Sequence, residues 1–569
     1  MPQFVNGVYF TSPGSAVTVN DSQFLGSPNA GGNGIVVIGS TDDGQPNIAL
    51  SFSSPAQALA TLKNGDGLQA VLNVFTGASK MSGAASVWFI RPEIATQATS
   101  KVNNISSVEQ IALTTTSYGT LGNMAKWMIT TGSTSGYKVS QGFDYVGAGG
   151  QTYAPFSQDN ISLNVFSLYY TGSDTPKVTI TDTALTIAGA TTTLATIALS
   201  ASLTVQNLVN QINQVADFNA VALDPNPSDT VASFFDNVTS VAVATSSTSP
   251  TIFTANVTAV VNAINQAGMY FTATRQAGAT AIATSTMWTY ATGGTTPSAT
   301  NSNWQDAYST AQSITNVLIV EPASSSYAIW AMNDAHCKYM ASLGIGRRGY
   351  VGDASGQTMT TEITQAALLN SNTTSIVWPE QYEFDYNGNN VLMAPYLVAC
   401  LVAGMRIAYT PANALTRQGI TSNGMGQTVT PGMVGQGLTG GLCVLAPNQA
   451  GTVIVTQDRT TWLQNTAYDK VENSTGMIVD IISADLNAIL SSFIGQAASA
   501  TLATSVQVAV YDRLSYWSSQ GYLASAPSLT DVAITVNGDV ITGTAKAAID
   551  VPANYIALQL IPTAVTAAA

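Results

Sequence analysis

The chain has a single histidine, His336. A Ser-His-Asp or Cys-His nucleophile would have to use it, because the proton acceptor in such a site is nearly always an imidazole. Cys337 stands next to it, but adjacent side chains on a helix point apart. His336 therefore reads as a structural residue. One histidine and three dispersed cysteines, Cys337, Cys400 and Cys443, lack the spacing of a zinc site. All three cysteines sit in apolar surroundings and read as small buried hydrophobes in a reducing compartment. No glycine-rich segment ends in Gly-Lys-Ser/Thr, so a phosphate-cradling loop is not expected. Glu380, Glu383 and Asp385 cluster among Tyr382, Phe384 and Tyr386. A glycoside hydrolase would hold two carboxylates across a cleft, but ahead of Asn387-Gly388 this group reads as a solvated turn. Arg347-Arg348, the only basic doublet, is expected at a surface or interface. No cofactor, metal or catalytic residue is expected.

Composition narrows the class further. The chain has 569 residues, enough for three or four structural units at about 150 residues each. Only 8% of residues are charged and 46% are hydrophobic, with a mean hydropathy of +0.20. That excludes a disordered chain. With 17 basic and 31 acidic residues the net charge is −14, which argues against a basic nucleic-acid-binding surface. Either much of the surface is buried against neighbouring subunits, or a Ser/Thr/Asn-rich surface accounts for the low charge. The opening MPQFVNGVYF has neither a basic stretch nor a long apolar core, so a signal peptide is not expected. The most apolar run, residues 394–404, is shorter than the ~20 residues that span a bilayer. It reads as a buried strand or core helix, and no membrane insertion is expected.

The elements suggest two α/β parts around a different middle. Residues 1–25 lack a helical period and look like an extended arm. Ile35-Val36-Val37-Ile38 is an apolar β-branched run closed by Gly39, hence a buried strand. Ser54-Pro55 opens a helix, Leu68, Val71, Leu72 and Phe75 have helical spacing, and Val87-Trp88-Phe89-Ile90 is a second strand. From about 102 to 300, Thr, Ser and Ala dominate and alternating strands recur, as at Val178, Ile180 and Leu185, Ile187. A weak repeat lines up Leu208-Val209-Asn210-Gln211-Ile212-Asn213-Gln214 with Val260-Val261-Asn262-Ala263-Ile264-Asn265-Gln266. Each copy is a short helix before an aromatic-led strand, Phe218-Asn219-Ala220 in one and Tyr270-Phe271-Thr272 in the other. From 301 the α/β pattern returns. Ile478, Ile482, Leu486, Ile489 and Phe493 form a helical stripe. Val532, Ile534 and Val536 alternate strictly before Asn537-Gly538, a hairpin turn signal.

Several segments, in this order, resemble contractile tail sheath proteins of bacteriophages and related contractile injection systems. Asn6-Gly7-Val8-Tyr9 is similar to the family's opening PGVY, with Asn for Pro. Residues 35–47 resemble its first core strand and turn, and residues 85–91 (ASVWFIR) the strand that ends in Arg. Residues 117–123 (SYGTLGN) are similar to the motif where inserted domains begin, and residues 313–321 to the return strand. Asp458-Arg459-Thr460 stands at the family's ARTl position, and residues 532–560 resemble its C-terminal arm. The match is good at both ends and poor over 125–300.

The resemblance implies an α/β core assembled from both chain ends, with inserted β-rich α+β domains and extended terminal arms. The corresponding division is an arm at 1–25, core at 26–101, outer domains at 102–300, core at 301–526, and a C-terminal arm with the last strands at 527–569. It also implies stacked hexameric rings around an inner tail tube protein, bounded by baseplate and tail terminator proteins, in a virion tail assembled in the host cytoplasm. Contraction then drives the tube through the host envelope, without nucleotide. Both ends are expected to be strands donated between subunits, through Val5, Val8, Tyr9, Val17 and Val19 at the start and Val532, Ile534, Val536 and Ile556 at the end. Asp480 lies about 200° around the helix from Ile478, so it is expected to point away from the core towards the tube. Two other classes stay open: a different viral or surface-lattice protein, and a carboxylate-based enzyme acting on glycans.

Overall fold

A strand with no polar side must be covered on both faces, and Ile35-Val36-Val37-Ile38 is such a strand. In the computed structural model it forms Gly34–Gly39 within a four-stranded sheet. The structure describes residues 34–77, 83–147, 150–199, 203–228 and 234–554, with the backbone of 3–5 and 8–10. Val87–Ile90 and Val317–Ala323 flank Gly34–Gly39 in parallel, and Leu50–Phe52 pairs antiparallel at the edge. Successive side chains serve opposite faces. Ile35 and Val37 pack with the helices Asp66–Thr76 and Pro395–Ala408, whereas Val36 and Ile38 pack with Asn301–Gln312.

A second four-stranded sheet runs Gly349–Val351, Thr374–Trp378, Leu442–Pro447, Val453–Val455. Arg348 stitches the two sheets together. Its N–H donates to the Leu318 carbonyl and its carbonyl accepts from the Val320 N–H, both at 2.9 Å. Strands from before residue 91 and after residue 316 thus share one layer. The apolar run at 394–404 is the nearly wholly buried helix Pro395–Ala408. Gly404 lets it cross the Asp66–Thr76 helix closely, since a Cβ there would strike the Val74 backbone. No helix among the described residues is long and apolar enough to cross a membrane.

The middle of the chain holds two further cores. One gathers Ala98, Ile111, Leu113, Trp127 and Phe143 with Val257, Val260, Ile264 and Phe271. The other lies wholly between Val165 and Ala255, so the second unit interrupts the first. The sequence repeat has a physical counterpart. In one copy the helix is Val205–Ile212 and the strand Phe218–Ala222; in the other they are Asn256–Ala267 and Phe271–Arg275. Asn213 brackets the backbone of Ala220, donating at 3.0 Å and accepting at 2.6 Å. Asn265 brackets Ala273 in the same way, at 2.9 and 2.8 Å. Phe218 therefore corresponds to Phe271, not Tyr270, one residue beyond the alignment read from the sequence. The helix Asn256–Ala267 closes on Gly268 in the left-handed conformation, whereas Val205–Ile212 closes on Asn213 in the right-handed one.

Two long helices, Asn473–Ser491 and Ala500–Ser519, complete the C-terminal part. The strands Val532–Asn537 and Val540–Ala545 follow as a hairpin turning at Gly538, whose φ is 62°. At the other end the backbone of Gln3–Val5 pairs with that of Val8–Phe10, so Val5 and Tyr9 lie in a local two-stranded ladder. Val17, Val19 and Ile556 lie outside the described residues.

Candidate assembly interface

Three of the motif segments converge where the middle of the chain leaves the core sheet. The strand Val87–Ile90 delivers Arg91, fully buried, whose Nη1 donates to the Gly44 carbonyl at 3.1 Å and whose Nε faces Glu93 at 3.3 Å. Asp43 turns its carboxylate inward, accepting the N–H groups of Gly44 and Tyr118, each at 2.8 Å. Burial raises the carboxyl of Asp43 above the ordinary range, against the pull of those bonds. Gly119 has φ 88°, and a Cβ there would collide with Thr296. Asn123 then brackets Gly294, donating and accepting at 2.9 Å, which ties the beginning of the excursion to its end. Asp43 and Asn123 in this neck are held by backbone partners, and Arg91 by a backbone carbonyl and the Glu93 carboxylate.

A second hub surrounds Asp458. Its carboxylate accepts from Tyr350 Oη and Asn473 Nδ2, each at 2.9 Å, and meets Arg406 at 3.5 Å, with both ions fully buried. Next to it, Thr460 donates to the Lys470 carbonyl, and Thr461 N–H donates to the Thr374 carbonyl at 2.9 Å. The Asp458-Arg459-Thr460 motif thus fastens the second sheet to the Asn473–Ser491 helix. Removing one partner of such a buried pair costs about 3–5 kcal/mol.

Several placements differ from the sequence reading. Arg347 and Arg348 lie at no surface; they are 1% and 2% exposed. Arg347 donates to the carbonyls of Ala311 and Ile314 at 2.9 and 2.7 Å, closing the end of the Asn301–Gln312 helix. Arg348 donates to Asp480 at 2.7 Å and to the Asn372 carbonyl at 2.7 Å. Asp480 therefore does not point away free: it is half-buried and neutralises Arg348 within the same chain. The angular argument placed it off the apolar stripe correctly, but the sheet edge reaches around to meet it. Gly476 makes the room, since a Cβ there would strike the Arg348 guanidinium. Glu380 and Glu383 are not solvated either. Both are buried, Glu380 accepting from Gln427 at 3.0 Å, while the turn itself forms over Asp385–Gly388.

His336 is buried against the Tyr308 ring, with Nε2 at 3.1 Å from Arg347 Nη1. Burial, with the Arg347 charge beside it, lowers its pKa to about 4, so it is neutral at physiological pH. Burial pushes the thiols of Cys337, Cys400 and Cys443 well up, which makes them inert as nucleophiles. Among the described residues no group of His, Cys, Asp and Glu could hold a metal.

The C-terminal hairpin is open along its edges. Val532 is buried and Ile534 and Val536 half-buried, while Ala533, Thr535 and Asn537 are exposed, so the alternation read from the sequence holds. Neither strand pairs with a third among the described residues, leaving backbone donors and acceptors at both edges. Between the hairpin and the two long helices lies a groove of about 430 Å³ lined by Leu490, Phe493, Leu502, Val506, Ile534 and Ile541. Nothing in the sequence alone marked this groove, because its walls come from three separate segments.

No family model matches the chain. It is 23% identical over 576 residues to the tail sheath protein of Bacillus phage SP01, covering 97% of this chain and 96% of that one. Its fold is similar to the sheath tail protein of Desulfitobacterium hafniense, with a TM-score of 0.56 and 13% identity, covering 94% of this chain and 97% of that one. It is also similar to the sheath tail protein of Listeria innocua, with a TM-score of 0.55 and 12% identity, covering 92% and 93%. By sequence along nearly its whole length and by its mixed α/β fold, the chain resembles contractile tail sheath proteins.

Proposed function

We propose that this chain is the structural subunit of a contractile tail sheath. It polymerises as stacked hexameric rings around an inner tube and contracts to drive that tube through a cell envelope. The full-length similarity to a tail sheath protein carries the reading. Its partners are further copies of itself, the tube protein, the baseplate and the tail terminator. It resides in the virion tail after assembly in the host cytoplasm. It acts without catalysis; the buried neutral His336 and the inert thiols accord with that.

On this reading the sheet shared by strands from before residue 91 and after residue 316 is the sheath core, built from both parts of the chain. Residues 102–300 form the outer domains, and the neck at Arg91, Asp43 and Asn123 makes them move with the core. The unpaired edges of the Val532–Asn537 and Val540–Ala545 hairpin accept or donate strands between subunits, together with the N-terminal arm. Such links are main-chain hydrogen bonds, so they persist while subunits rotate. Electron microscopy of the purified chain tests the reading: hollow tubes are expected, and a stable monomer under all salt conditions would refute it.

A further inference from the structure

Residues 546–554 run past a fully buried carboxyl group, that of Glu472. Beyond the hairpin the chain runs back along residues 522–524, with Ala524 N–H donating to the Ala548 carbonyl at 2.8 Å and Asp550 N–H to the Tyr522 carbonyl at 3.1 Å. It then presents Asn554, whose Nδ2 donates to Glu472 Oε2 at 3.3 Å. Gln457 Nε2 donates to the same oxygen at 3.0 Å. The other two acceptors of the pair, Glu472 Oε1 and Asn554 Oδ1, are buried and have no hydrogen-bond donor. A buried acceptor without a donor is destabilising, and here two stand at one contact.

We propose that a proton held on Glu472 Oε1 closes a reciprocal acid–amide pair with Asn554, a latch that fixes where the C-terminal arm leaves the core. A carboxylic acid offers one donor and one acceptor, and so does each edge of a primary amide. One proton therefore supplies the donor that both orphan oxygens lack. The surroundings favour it. Asp458 is the carboxylate whose charge acts on it, Arg406 is the cation paired with Asp458, and Tyr350 already donates to Asp458. The Arg459 backbone bridges to that of Glu472, and the Cys443 thiol nearby carries no charge. A second full negative charge here has poor compensation. Burial, followed by the Asp458 charge, pushes the Glu472 carboxyl up to about 8.

The sign follows. The folded-state proton affinity is raised, so the latch is fully present at low pH and is lost as pH rises through about 8. Deprotonation leaves two acceptors facing each other and a charge beside Asp458, and the pair opens. The latch lies within one chain; only its consequence for assembly rests on the strand-exchange reading above.

Hydrogen exchange of peptides spanning residues 546–554, measured on the full chain below and above this titration and corrected for intrinsic chemistry, tests it. Wild type should lose protection about tenfold or more across the titration. Glu472→Gln should stay protected throughout, because its amide donates permanently to Asn554 Oδ1. Asn554→Ala should be unprotected at both extremes, and serves alone if Glu472→Gln fails to fold. Identical pH profiles in wild type and Glu472→Gln, or full protection in Asn554→Ala at low pH, would overturn the latch. Microscopy of the same samples separates the two ideas: tubes that persist with the segment unprotected would remove strand exchange at this end and leave the latch standing.

Discussion

Replacing Glu362 with methionine should make this protein more stable at neutral pH. Glu362 sits on the helix Met359–Leu369, fully buried, and neither of its carboxylate oxygens has a hydrogen-bond partner. Burial, then the charges of Asp353 and Glu380, push its carboxyl from 4.5 up to about 8. A raised folded-state value means stability that is complete below about 4.5 and declines as pH rises towards 8. At 1.36 kcal/mol per pH unit, the loss by pH 7 is about 3 kcal/mol. Methionine keeps the length and a good helix propensity, and it needs no proton. The urea midpoint, followed through Trp330 and Trp378 in the same apolar cluster, should rise at pH 7 and lose its dependence between about pH 5 and 8. Equal destabilisation of the variant at pH 5 and pH 8 would refute the reasoning, since it would mean that the carboxyl makes favourable contacts in either protonation state.

Three further outcomes are expected. Asp458→Ala leaves Arg406 buried without its partner and strips the bonds from Tyr350 and Asn473, so thermal melts should show a core weakened by about 3–5 kcal/mol. His336→Phe should leave tube formation unchanged by microscopy and should blunt acid destabilisation between about pH 6.5 and 4. A histidine with a lowered value loses stability as pH falls through that window, about 3 kcal/mol in all. Ile534→Pro removes a backbone donor from the open edge of its strand, because Ile534 and Gly543 form a non-hydrogen-bonded pair of the hairpin; the protein should stay soluble and folded by circular dichroism while polymerisation, read by light scattering, falls sharply.

Apolar periodicity was legible wherever one physical constraint dominated. Ile35-Val36-Val37-Ile38 could only be a strand covered on both faces, and Val532, Ile534 and Val536 could only be a strand covered on one. The repeat was visible because Asn213 and Asn265 each close a helix onto the next strand, but its exact register depended on how each helix ends, which the letters do not display. Charged residues were the hard case. With so few ions in the chain, Arg347-Arg348 reads as surface or interface, yet Arg347 is held by the Ala311 and Ile314 carbonyls and Arg348 by the Asn372 carbonyl and Asp480. Asp480 shows the same reach: its helix angle is local, whereas the arginine that pairs with it arrives from the sheet edge. The groove under the C-terminal hairpin, assembled from three segments, had no local signature at all.

Mechanical assembly is decided by negative-stain electron microscopy of the purified chain, alone and after removal of everything beyond Pro527. Hollow tubes are expected from the full chain and soluble, folded, non-polymerising protein from the truncated one. Monomers from the full chain at every salt concentration, or normal tubes from the truncated one, would contradict it.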